Sequence, residues 1–232
     1  MIPPRTRWSR ATLPAALVAA LVASACHSAT SAGLDTSPRP ASTPSDFEAL
    51  YRARKDSARA RFTPADVHFM TGMIGHHAQA ITMSKLAPTH GASPTVQTLA
   101  ARIINAQQDE IATMQRWLRE RGQPVPELHV MGNEVMVHGA DHDMHMPGML
   151  TPEQMRALDA ARGTEFDRLF LSGMIQHHGG AITMVHDLFA TDGAGQDDAV
   201  FKFASDVQVD QNTEIARMEQ MLAALPAAGG AP

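Results

Sequence analysis

One stretch of fifteen residues occurs twice in this chain, 101 positions apart, and any fold has to accommodate both copies. Residues 69–83 read F-M-T-G-M-I-G-H-H-A-Q-A-I-T-M, and residues 170–184 read F-L-S-G-M-I-Q-H-H-G-G-A-I-T-M. Ten of the fifteen positions are identical. A repeat of this kind means that one supersecondary unit has been built twice. The segments C-terminal to the two copies also align. Gln107, Glu110, Ile111, Met114 and Leu118 match Gln211, Glu214, Ile215, Met218 and Leu222 at an offset of 104, so the second inter-helix loop is three residues longer. Each unit reads as a helical hairpin whose apolar stripe has no partner within the unit. Two such hairpins bury each other's stripes as a four-helix bundle.

Local signals set the expected boundaries. Ser45 with Glu48 forms a capping-box pattern, which predicts a short N-terminal helix over 46–62. Thr63-Pro64-Ala65-Asp66 opens the helix that carries the first copy, running to about Ala87 before Pro88. Ser93-Pro94 opens its partner, so the first hairpin spans 63–122. In the second half Thr151-Pro152-Glu153 starts a short helix that breaks at Gly163. A long helix then runs to about Ala190, and a last one from about Asp197 to Leu225 closes the second hairpin, 151–225, before a tail at 226–232. Between the hairpins, 123–150 is expected to be a long crossover. Its residues 131–149 hold five methionines and three histidines without an apolar helical period. The fold class is therefore all-α.

The first 25 residues read as an export signal: Arg5, Arg7 and Arg10, then a short apolar run ending in small residues. That run is shorter than the roughly 20 residues of a membrane-spanning helix. The only cysteine, Cys26, follows Ala23-Ser24-Ala25, which resembles a bacterial lipobox and predicts lipidation at Cys26. The alternative is ordinary cleavage after Ala25. The Ser/Thr/Pro-rich residues 26–45 read as a disordered tether. The expected location is the periplasm or cell envelope, with membrane contact only through the anchor. Without the signal, 16 basic residues face 24 acidic ones, a net charge of −8 that argues against nucleic-acid binding.

Three motifs point to a family. The repeated G-M-I-x-H-H-x-x-A-I-x-M, the Q-x-x-E-I-x-x-M of the second helices, and M-P-G-M ahead of E-F-D-R-L-F-L together resemble the domain-of-unknown-function 305 family. The resemblance covers about 63–222 and implies the ferritin-like four-helix superfamily. Members are typically exported bacterial proteins, some of them implicated in copper binding, so it also implies a metal partner.

The residues themselves carry a soft-metal ligand set. On a helical wheel at about 100° per residue, His76 and His77 fall on opposite sides of the line of Met73, with Met83 on the side of His76. Met174, His177, His178 and Met184 repeat the set, whereas Met70 becomes Leu171. The second helices add Glu110 and Met114, and Glu214 and Met218, with Gln107 and Gln211 one turn earlier. A buried Glu or Gln needs a partner, and the histidines of the facing helix are the nearest candidates. In the crossover, His138, His142, Met144, His145, Met146 and Met149 are candidate ligands that helical packing does not account for. Thioether suits Cu(I), and imidazole suits Cu(I) and Cu(II). Zinc is disfavoured by the shortage of cysteine and carboxylate ligands.

A di-iron oxidase would need Glu-x-x-His on two helices. The residues three before each histidine are Met73, Ile74, Met174 and Ile175. The only repeated bundle carboxylates are Asp66 with Asp167 and Glu110 with Glu214. The expectation is thus a non-enzymatic copper protein, chiefly for Cu(I), that sequesters, buffers or transfers the metal, with a homo-oligomer or a metal-transfer protein as candidate partner. The alternatives are an envelope interaction module with a purely structural polar core and, further off, a metal-dependent oxidase.

Overall fold

Four of the six helices among the described residues begin on the same pair, a Ser or Thr followed by Pro. The helices are α1 (Pro44–Arg59), α2 (Pro64–Leu86), α3 (Pro94–Glu120), α4 (Pro152–Ala160), α5 (Gly163–Ala190) and α6 (Asp198–Ala223). At α1 to α4 the hydroxyl of Thr43, Thr63, Ser93 or Thr151 accepts the backbone N–H three residues on, at 3.2–3.4 Å. Proline at the first position has no N–H to leave unpaired. The computed structural model describes residues 43–59, 61–138 and 146–226. The export segment, Cys26, the tether, His142, Met144, His145 and the last six residues of the tail lie outside the described residues.

The first helix starts slightly earlier than expected. The box forms between Thr43 and Asp46 rather than Ser45 and Glu48, because Pro44 takes the first helical position. The fold is otherwise the all-α, ferritin-like four-helix bundle of two hairpins. Helix α2 packs on α3, α5 on α6, and α2 on α5. The last pair runs antiparallel: Asp66 meets Gly195, the rings of His76 and His177 meet, and Met83 lies against Gly173. The two repeats are thus related by an approximate two-fold axis through the histidines. Two apolar clusters flank that axis. One holds Phe69, Met73, Met114, Trp117 and Met184; the other holds Met83, Leu99, Phe170, Met174 and Met218.

The crossover differs from the expectation in its first half, which is a β-hairpin rather than irregular chain. Strand β1 (Glu127–Met131) pairs antiparallel with β2 (Glu134–His138). Gly132, at φ 60°, takes the first central position of the two-residue turn, as glycine does in a type II′ turn. Leu128 and Val137 face each other across the pair, and Leu128 packs on the first core cluster. The alternation of E-L-H-V-M and E-V-M-V-H about Gly-Asn is the sequence signal for this element.

The last residues of the crossover, 146–150, are strapped over the histidines. The Gln79 side chain brackets Leu150, accepting its N–H at 2.7 Å and donating to its carbonyl at 3.0 Å. Gln176 donates to the carbonyls of Gly148 and Met149. A Cβ at Gly180 would stand 1.9 Å from the Pro147 carbonyl oxygen. Gly180→Ala must therefore lift the strap, and a loss of about 1–3 kcal/mol is expected from such overpacking. Urea denaturation together with hydrogen exchange at the Leu150 amide checks it. An unchanged midpoint with Leu150 still protected would contradict the strap's placement.

Candidate metal centre

The four repeated histidines sit where the two apolar clusters meet, between Ile74 and Ala80 on α2 and between Met174 and Ala181 on α5. All four are fully buried. Adjacent residues on a helix point about 100° apart, so each His-His pair has to face two ways. His76 and His177 face each other across the axis with ring centroids 3.8 Å apart. His77 and His178 turn to the second helix of their own hairpin, where each finds a glutamate. His77 Nε2 lies 2.6 Å from Glu110 Oε2, and His178 Nε2 lies 2.7 Å from Glu214 Oε2. The histidine–carboxylate pairing anticipated from the sequence is therefore present in both halves.

Every one of the four rings shows the same division of labour. His76 Nε2 lies 3.0 Å from the Pro147 carbonyl, and His177 Nε2 lies 3.0 Å from the His76 carbonyl. Carbonyls and carboxylates only accept, so in all four rings Nε2 carries the proton and donates. In the neutral ring that tautomer leaves Nδ1 as a bare lone pair. All four Nδ1 atoms are buried without a hydrogen-bond partner. A buried unpaired acceptor costs about 1–3 kcal/mol, and four together are an unusual concentration. The side-chain oxygens of Gln107 and Gln211 are likewise unpartnered and buried. These two glutamines do not join the histidine pairs, contrary to the expectation from their helical spacing.

At the facing rings of His76 and His177, burial disfavours the charged imidazolium. Burial, followed by the neighbouring His77, holds His76 down to a pKa of about 3. His177 is pushed well below the ordinary range by burial and by His76 and His178. Both rings stay neutral at physiological pH, which is the state that offers a lone pair to a metal.

The methionines divide differently from the helical-wheel reading. Met73 and Met83 share a side of α2, but ten residues separate them, about 15 Å of helix. They fall in opposite clusters and cannot close one site around His76. The packing instead joins Met73 and Met114 with Met184, and Met174 and Met218 with Met83, so each set draws on both repeats. Core packing accounts for the burial of all six. Among the described crossover ligands, Met146 lies half-buried with its sulfur 3.4 Å from where a Cβ of Gly75 would be, and Met149 sits half-buried before α4. His138 stands apart, exposed at the end of β2 with its ring 4.9 Å from that of His129. Among the described residues, no three His, Cys, Asp or Glu groups are arranged to hold a metal by themselves.

Several residues that build the site are not marked by the metal-ligand pattern of the sequence. Asp66 accepts the Gly195 N–H at 2.7 Å, and Asp167 accepts the Ser93 N–H at 3.1 and 3.2 Å. Each aspartate thus clasps the first helix of one hairpin to the inter-helix loop of the other. Their repetition at the offset of 101 marks them in the sequence, though not their role as clasps. Gln79 is marked only by its exchange for Gly180 in the second copy.

The chain belongs to the family described as Domain of unknown function (DUF305), whose model matches residues 66–222. A DUF305 fragment from Deinococcus radiodurans superposes with a TM-score of 0.58 at 28% identity, covering 71% of this chain and 99% of that one. A DUF305 protein of Streptomyces coelicolor classed as secreted gives 0.54 at 27%, covering 68% and 91%. CopM in its Cu(II)-bound form gives 0.53 at 31%, and in its Cu(I)-bound form 0.51 at 28%, each covering 68% of this chain and 95% of that one. An uncharacterized protein of Acanthamoeba polyphaga mimivirus is 45% identical over 56 residues, which is 24% of this chain and 37% of that relative.

Proposed function

We propose that this DUF305 protein is an exported copper carrier. It holds the metal, chiefly Cu(I), at the paired histidines of its bundle and sequesters, buffers or passes it on without catalysing a reaction. The observation that carries the reading is the set of four buried imidazoles, each with Nε2 tied to an oxygen and Nδ1 left bare. Metal-ligating histidines characteristically donate their second nitrogen to a carboxylate or a backbone carbonyl, which fixes the tautomer and raises the basicity of the ligating atom. Here two donate to carbonyls and two to glutamates. The donors fit a soft ion: imidazole nitrogen lone pairs in a layer between the two apolar clusters that hold the bundle methionines. Glu110 and Glu214 act as orienting partners in this reading. CopM, similar over most of its length, binds both Cu(I) and Cu(II). Export and anchoring at Cys26 rest on the N-terminal sequence and on the likeness to a protein classed as secreted.

The test is a titration of the metal-free protein with Cu(I) against a chromophoric chelator. The intact protein should take copper at chelator-competitive affinity. Glu110→Gln with Glu214→Gln should weaken the bundle site about 10- to 100-fold, the usual consequence of removing an orienting carboxylate. His76, His77, His177 and His178 changed together to Ala should abolish it. If the intact protein takes up no copper, the reading is wrong. Copper uptake that ignores both sets of substitutions would place the metal elsewhere and leave the histidine layer as a structural polar network.

A further inference from the structure

The hairpin that replaces the irregular crossover sorts its residues by chemistry. Successive side chains of a strand point to opposite faces. In register, Leu128 pairs with Val137 and Val130 with Val135 on one face. On the other, Glu127 pairs with His138, His129 with Met136, and Met131 with Glu134. The aliphatic face includes Leu128 on the core and Val137 against α2 at Gly75. The opposite face therefore carries two histidines, two methionines and two glutamates, and it is exposed: Met131 at 68% and Met136 at 37%. Met131 gains little from burial there, and methionine is not among the residues that strands favour.

The geometry suits a shared ligand. Residues directly opposite on one face of an antiparallel pair stand about 5 Å apart at Cβ, and diagonal neighbours about 7–8 Å. His129 and Met136 are opposite, while His138 is two residues along β2 and diagonal to His129. The rings of His129 and His138 are already 4.9 Å apart and edge-on at 80°. The Glu127 carboxylate lies 3.8 Å from His129 Nε2, placing a negative charge beside the pair.

From this we propose that the outer face of the β1–β2 hairpin is a second metal site, in which His129, His138 and Met136 bind a soft monovalent cation, Cu(I) or Ag(I), with Met131 adjacent. The inference does not depend on the buried histidine layer. Two imidazoles and a thioether form a neutral three-donor set of the kind that suits a d¹⁰ monovalent ion, and the Glu127 carboxylate beside them offsets its charge. Being exposed, this site loads and releases metal without any opening of the bundle.

Silver(I) is the diamagnetic probe. In the full chain, titration followed by NMR should shift the His129 and His138 ring signals and the Met136 methyl signal together. His129→Ala with Met136→Ala should remove one equivalent of Cu(I) from the chelator competition and leave the fold's denaturation midpoint within error. The Glu110→Gln/Glu214→Gln protein should keep that equivalent. Loss of the hairpin equivalent alone supports this site whatever the bundle does. Unmoved His129, His138 and Met136 signals, or an unchanged stoichiometry in the double variant, would overturn it even if the bundle binds copper. Preferential binding of Zn(II) on this face would overturn the assignment to a soft ion.

Discussion

Asp66→Ala is expected to destabilise the fold by about 3–4 kcal/mol, a large loss for a single side chain away from any catalytic chemistry. The carboxylate is fully buried and fully used. One oxygen accepts the N–H and hydroxyl of Thr63, at 2.7 and 2.9 Å, closing the capping box of α2. The other accepts the Gly195 N–H from the loop between α5 and α6. Alanine leaves two backbone donors without acceptors and frees one hairpin from the other at that end. Asp167→Ala, which strips only the Ser93 N–H, should cost less, about 1–3 kcal/mol. The two aspartates clasp opposite ends of the antiparallel α2–α5 pair, so their effects should add. Urea midpoints at constant slope measure both. A cost under 1 kcal/mol for Asp66→Ala, or strong non-additivity, would contradict separate clasps.

The repeat makes the bundle legible because identity at ten positions demands equivalent environments. Two of the five positions that differ are as informative, and the structure explains them. Gly75 corresponds to Gln176, and Gln79 to Gly180. A perfect two-fold pair of hairpins needs neither exchange. The connecting segment is a single copy, however, so its contacts cannot be repeated in both halves. Gly75 admits Val137 and Met146, Gly180 admits Pro147, and the two glutamines hold the strap's backbone. Each exchange therefore records where the crossover breaks the symmetry. The histidine–glutamate pairs are readable from helical spacing, since periodicity sets both faces. The grouping of methionines is not, because a wheel records angle and discards the rise along the axis. The hairpin is within reach through its alternation and its Gly132-Asn133 turn, but the density of Met and His in that segment masks the period beneath the composition.

The metal-free protein should lose stability on mild acidification, well before its carboxylates are titrated. His76 has a pKa of about 3 in the folded protein and an ordinary value near 6.5 once unfolded. Above pH 6.5 neither state carries the extra proton, and the fold has its full stability. Between pH 6.5 and about 3 the unfolded chain binds a proton that the folded one refuses, so stability falls with pH by about 1.4 kcal/mol per unit for that residue. At pH 4.5 the loss from His76 is about 3 kcal/mol. His177, shifted in the same direction, adds to it. For a domain whose total stability is on the order of 5–15 kcal/mol, this brings acid unfolding close. Denaturant midpoints between pH 7 and 4.5 would show the slope. His76→Gln with His177→Gln should flatten it, since glutamine occupies the layer without titrating. A wild-type stability that holds level to pH 4.5 would mean that the two rings take up protons in the folded state, and that the layer between the clusters is more polar than its burial implies.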